Sequence, residues 1–137
     1  MKLSGVLKAA GIAKLRIVEG GIYRLKDDLI SFPESDELEN RTKHDYRTVL
    51  VLSNQKLIDS YHCPCVIVVP MSHLTHFKSP ADMVISKNST NGLVHDSRIM
   101  FGYLQPVLKS DLEKQIGVLP EDQWQSVMVQ VVACFDH

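Results

Sequence analysis

At 137 residues with 45% hydrophobic side chains, the chain is long enough to bury one ordinary core. Lys and Arg number 15 against 16 Asp and Glu, so net charge neither favours nor excludes a polyanionic partner, and any nucleic-acid surface must be local. Lys8 interrupts the Leu3–Ile12 stretch and Lys2 and Lys14 flank it, so no secretory signal is expected, and no segment reaches the roughly 20 apolar residues of a membrane helix. Three cysteines, an odd number, fit a reducing cytoplasm better than a disulfide scaffold.

Leu3, Val6, Leu7, Ala10 and Ala13 share one face of an expected helix over residues 2–16, within an N-terminal extension of residues 1–19. Gly20-Gly21 breaks the chain and opens the main domain, residues 20–137, with Ile22–Leu25 alternating as a first strand. Residues 27–46 read as a long polar loop whose charge switches from Glu34, Asp36, Glu37 and Glu39 to Arg41, Lys43 and His44. Loops of that length are functional or disordered more often than not. Thr48–Leu52 and Cys65–Val69 are short β-branched runs, the second stopped by Pro70, with a polar connection or helical turn at Asn54–Ser60 between them.

Asp82–Ile85 alternates as a fourth strand, and Asn88-Ser89-Thr90-Asn91-Gly92 is a turn signal because Asn-Gly accepts positive φ. Ser97–Val107 reads as one long strand, with Arg98, Met100, Gly102 and Leu104 on one face. Ser110-Asp111-Leu112-Glu113 matches a capping box, predicting a short helix ended by Gly117. Pro120 suits the start of a final helix in which Trp124, Val127, Met128, Val131, Val132 and Phe135 form an apolar stripe.

The chemistry-bearing candidates are few. His62-Cys63-Pro64-Cys65 lacks zinc-site spacing and a second ligand pair, so no metal is expected there. Ser72 stands outside any Gly-x-Ser-x-Gly context, and no glycine-rich phosphate loop is present. His73, His76 and Lys78 cluster after the third strand, where solvated histidines and catalytic ones look alike in sequence. Arg47 closes the basic, aromatic stretch Lys43, His44, Tyr46 and opens a core strand. It could clamp a phosphate bidentately, or pair with the acidic half of its own loop.

In order and spacing these pieces resemble the MazF/PemK toxins of type II toxin–antitoxin systems, from Gly21 to about Phe135. Gly21-Ile22-Tyr23 resembles the family's opening, and Arg47-Thr48-Val49-Leu50-Val51-Leu52-Ser53 its Arg-Pro-Val-Leu-Val-Leu-Ser strand. Val66–Ser72 resembles its Val-Val-Pro-Ile-Thr/Ser strand, and Ile116-Gly117-Val118-Leu119 its Ile-Gly-x-Leu. The resemblance implies a mostly β (α+β) fold, a small, strongly curved antiparallel β-barrel of MazF/PemK/CcdB type, with a C-terminal helix and here an extra N-terminal one.

It further implies a homodimeric cytoplasmic toxin, neutralised by a cognate antitoxin, that cleaves single-stranded RNA without metal or cofactor through 2′-hydroxyl attack. By position, Arg47 matches the family's catalytic arginine and Ser72 its hydroxyl residue, with Lys43, His44, Tyr46 and His73 as expected substrate contacts. Thr48 replaces the usual proline, Gly102 stands where the family has Asp or Glu, and Gln105 where it has a second arginine. His44, His73 and Arg98 are the candidates to replace those groups. The departures leave a second reading open, a catalytically degenerate MazF-like module that binds RNA or a protein.

Overall fold

In the computed structural model, residues 16–33, 44–76 and 78–136 are described; the expected N-terminal helix and Lys43 lie outside them. Seven strands form one antiparallel sheet: β1 (Gly21–Lys26), β2 (Tyr46–Val51), β3 (Cys65–Ser72), β4 (Asp82–Ile85), β5 (Ser97–Met100), β6 (Gln105–Leu108) and β7 (Lys114–Val118). A one-turn helix α1 (Gln55–Ile58) joins β2 to β3, and the long helix α2 (Glu121–Phe135) ends the chain. The strands run in the order β4-β5-β3-β2-β1-β7, with β6 also paired to β3. Among the described residues no ladder joins β4 to β7, so the sheet is open at both ends.

Both faces of the central strands are buried. Ile22, Leu50, Val69 and Ile99 point to one side, where Trp124, Val127 and Met128 of α2 cover them. Tyr23, Leu25, Val49, Val51, Val66, Val68 and Val107 point to the other and pack against one another across β1, β2, β3 and β6. Among the described residues no helix comparable to α2 covers that second face. The sheet therefore curls upon itself to bury it, and Ile30, Phe32 and Leu112 plug the open side. This explains why β1 is not half-exposed as simple alternation implies: Ile22, Tyr23 and Leu25 are all 0% exposed.

Four sequence expectations need correction. First, β3 does not stop at Pro70 but continues to Ser72. Its free edge pairs with β6 from Cys65 to Val68 and with β5 at Met71 and Ser72, and Pro70 falls at the handover between the two. Second, Ser97–Val107 is not one strand. Phe101–Tyr103 form a 3-10 turn between β5 and β6, and the register jumps by the three residues of that turn.

Third, Ser110–Glu113 starts no α-helix. A 3-10 turn at Lys109–Asp111 leads into β7, because β1 offers Gly117, Gln115 and Lys114 a ladder, and the Glu113 amide donates to the Arg24 carbonyl at 2.8 Å. Fourth, the apolar stripe of α2 is buried along half its length: Val127 is 0% exposed, but Val132 and Phe135 are about two-thirds exposed.

The Asn88–Gly92 turn forms as expected, with Gly92 at φ +67°. Buried Asn91 is its hub. Its amide donates to the Ser86 carbonyl and to Gln123 Oε1 of α2, and its Oδ1 accepts from the Asn88 and Leu93 amides.

Candidate functional site

The upper part of β3, the start of β2 and the β4–β5 hairpin surround an open cleft of about 780 Å³. Four of the expected residues, His44, Arg47, Ser72 and His73, line it. Tyr46 does not. Successive residues of a strand face opposite sides, and Tyr46 lies on the far surface, where the Arg24 guanidinium sits 4.2 Å from its ring centroid. Its ring is still 41% exposed there.

Arg47 is held on three sides. Its Nε donates to Asp27 Oδ1 at 2.7 Å, its Nη1 donates to the Met71 carbonyl at 3.1 Å, and its guanidinium lies over the Phe32 ring at 4.8 Å. Asp27 follows directly on β1 in a 3-10 turn and is fully buried; its second oxygen accepts from the His44 amide at 2.8 Å. Among the described residues, the carboxylate that pairs with Arg47 is buried Asp27, at the loop's first position; Glu34, Asp36, Glu37 and Glu39 lie outside the described residues. Among the described residues Nη2 has no hydrogen-bond partner, and it is the nitrogen left to a ligand. A guanidinium fixed in this way needs no reordering to meet an oxyanion.

Ser72 ends β3. Its Oγ accepts from the Leu74 amide at 3.1 Å, which leaves the hydroxyl proton free to donate. The ring of His73 meets that of His95 at 5.8 Å between centroids, both on the cleft wall. Opposite Ser72 on β5 stands Arg98, 4% exposed. It donates from Nη1 to the His76 carbonyl at 2.7 Å, while its Nε lies 3.7 Å from Asp82 Oδ2, too far for a hydrogen bond. Of the expected trio His73, His76 and Lys78, the first and last line the cleft, and His76 contributes its carbonyl.

Among the described residues three cations, Arg47, Arg98 and Lys78, thus line the cleft, with the carboxylates Asp27 and Asp82 beside the two arginines, and His44, His73 and His95 line it as well. Sequence reasoning passed over Asp27, Phe32 and His95, whose roles arise from tertiary placement. No spacing rule links a carboxylate to an arginine 20 positions later.

The position that would carry a second family arginine is committed elsewhere. Gln105 accepts from the Ser31 amide at 2.8 Å and donates to the Ser31 and Tyr103 carbonyls at 3.0 and 2.9 Å, fastening the loop after β1. Gly102 lies in the 3-10 turn at the cleft, with nothing within 4 Å of where a Cβ would stand.

Similar folds occur among solved structures. A Mycobacterium tuberculosis toxin, MazF-mt6, superposes with TM-score 0.61 at 22% identity, over 85% of this chain and 96% of that one. An endoribonuclease in complex with its cognate antitoxin, from a mycobacterial species, gives TM-score 0.62 at 13% identity over 88% and 95%. MazF in the MazE–MazF complex of Deinococcus radiodurans gives 0.60 at 13% over 90% and 98%. No curated protein matches the sequence significantly. The PemK-like, MazF-like toxins of type II toxin–antitoxin systems match residues 29–135, which takes in β2 through α2 and every residue that lines the cleft. With that match over most of its length, the chain belongs to this toxin family.

Proposed function

We propose that this protein is the toxin of a toxin–antitoxin pair and cleaves single-stranded RNA sequence-selectively and without metal in the cytoplasm, as a homodimer restrained by a cognate antitoxin. The observation that carries the reading is the anchored Arg47 guanidinium sharing one cleft with the Ser72 hydroxyl. The ribose 2′-oxygen attacks the adjacent phosphorus, the bond to the 5′-oxygen breaks, and a 2′,3′-cyclic phosphate and a free 5′-hydroxyl result. The step needs a base for the 2′-hydroxyl proton, an acid for the leaving oxygen, and positive charge on the phosphorane. Arg47 supplies the charge through Nη2, and Ser72 donates to a non-bridging oxygen. In this reading His73 and His44, which also line the cleft, serve proton transfer and contacts to the strand, with Lys43 as a further contact.

Incubating the purified protein with a long, weakly structured RNA in EDTA, beside Arg47→Ala, tests this. Cleavage that survives chelation and vanishes in the folded variant is expected, and mapped product ends give the recognised sequence. Full activity and growth arrest by Arg47→Ala would sink the assignment. Intact RNA with folded wild type moves the reading to a degenerate binding module, which the commitment of Gln105 to Ser31 and the bare Gly102 favour.

A further inference from the structure

We propose that Arg98 is a second phosphate-binding residue, acting with Arg47 on either side of Ser72. The inference rests on the RNA-cleaving reading and deepens it.

The sheet register places the three side by side. Ser72 pairs with Arg98 across β3 and β5. The β2–β3 ladder runs from Val51–Val68 to Val49–Pro70, and Arg47 and Ser72 each lie two residues beyond its last pair, at the same end of the two strands. The hydrogen bond from Arg47 to the Met71 carbonyl shows that the side chain reaches this end of β3. Neighbouring strands lie about 4.8 Å apart, so a hydroxyl stands between two guanidinium-bearing positions separated by roughly 10 Å of sheet. All three residues line the same cleft.

Arg98 is also held in a way that packing does not explain. A cation buried to this degree is costly unless fully paired. Arg47 has a carboxylate at 2.7 Å, whereas Arg98 Nε stands 3.7 Å from Asp82 and makes no hydrogen bond. Asp82 Oδ2 is shared with the Lys78 amide at 2.8 Å, which draws it off the guanidinium. Among the described residues Arg98 Nη2 meets only the Met100 sulfur, at 3.5 Å, a weak acceptor. Asp82 and the His76 carbonyl therefore position the group while leaving its charge incompletely neutralised. The unmet acceptor is a phosphate oxygen. One strand of RNA crossing the end of β3 then has one phosphate on Arg47 and its neighbour on Arg98, which replaces the charge lost at Gln105.

The probe is a short 2′-O-methyl oligoribonucleotide of mixed sequence, which binds but cannot be cleaved. Binding is measured against salt for wild type, Arg98→Lys, and the charge-balanced double variant Asp82→Asn, Arg98→Met. The double variant should bind roughly tenfold more weakly or worse, and its log–log salt slope should fall by about 0.7, one phosphate on a single strand. Arg98→Lys should keep most of the slope with reduced affinity. In the unaltered protein, the Arg98 Nε–H NMR signal should shift on adding the oligonucleotide, a readout independent of how the variants fold. Wild-type affinity and slope in the folded double variant, or a motionless Nε–H signal at saturation, would overturn the inference. If wild-type protein cleaves RNA while these results fail, this inference alone is lost; wild type that neither cleaves nor binds removes the nuclease reading with it.

Discussion

Asp27 and Arg47 meet at 2.7 Å between Oδ1 and Nε, with the carboxylate fully buried and the guanidinium 14% exposed. The pair ties the turn after β1 to the start of β2 and aims the cleft's cation. A charge left inside without its partner costs more than the pair contributes, but here the arginine can partly rehydrate. Asp27→Ala should therefore cost about 2 kcal/mol in denaturant unfolding. RNA cleavage should fall by more than stability explains, because the guanidinium loses its anchor. Unchanged cleavage in a folded Asp27→Ala protein would show that Arg47 needs no such support.

Ser72→Ala separates chemistry from folding. The hydroxyl accepts one hydrogen bond, from the Leu74 amide, at a half-buried position. Stability should change by less than about 1 kcal/mol, whereas kcat for RNA cleavage should drop about a hundredfold, as for loss of one oxyanion donor. Parallel stability and rate measurements on one preparation decide it.

Tyr23 gives the protein an alkaline limit. Its hydroxyl accepts from the Val18 amide at 2.8 Å and donates to the Arg16 carbonyl at 2.9 Å. Burial pushes the phenol above its ordinary value, with the Val18 amide and the Arg16 charge offsetting part of the effect. The folded state therefore holds the proton more tightly than the unfolded chain. This contribution is fully present below the unfolded phenol's pKa near 10, and is lost as pH rises through the higher folded value. Thermal stability should fall above about pH 10 in the wild type and fall less in Tyr23→Phe. At neutral pH that variant should be about 1–2 kcal/mol less stable, since the Val18 amide loses its acceptor.

Gly117 is where β7 backs closely onto the Asn88–Gly92 turn. A Cβ there would stand 2.3 Å from the Asn91 carbonyl oxygen and 2.7 Å from that of Thr90. Both contacts are backbone, so neither can swing aside. Gly117→Ala should destabilise by about 3 kcal/mol, the upper range for overpacking, and loosen the turn. A midpoint within error of wild type in urea would mean that the turn is not the fixed hub that Asn91 makes it.

Much of the fold is legible where local pattern and tertiary context agree. The β-branched runs at Thr48–Leu52 and Cys65–Val69, the Asn-Gly turn and the start of α2 all emerge within a residue or three of expectation. The failures share one physical cause, a backbone need met from elsewhere in the sheet. The capping-box pattern at Ser110 is a local bid for helix, outbid by the ladder of β1. The alternation through Ser97–Val107 is real, but β3 has room for two partners only if the chain turns at Phe101–Tyr103. In the cleft, Arg47 and Ser72 are recognisable because they sit in apolar strands with a family order. Asp27 and Asp82 carry no such flag, since the distance between each carboxylate and its arginine is closed only by folding.

The divided partnership of β3 has a mechanical side. Among the described residues, the β4–β5 hairpin joins the sheet through two residue pairs, at Met71 and Ser72, with its apolar side resting on α2. That hairpin carries Asp82 and Arg98 and flanks His95, so one wall of the cleft is tied to the sheet by a short ladder while the wall with Arg47 belongs to the long ladder of β1 and β2. The cleft therefore joins two unequally laddered walls, and the guanidinium of Arg47 stands on the one with the longer backbone pairing.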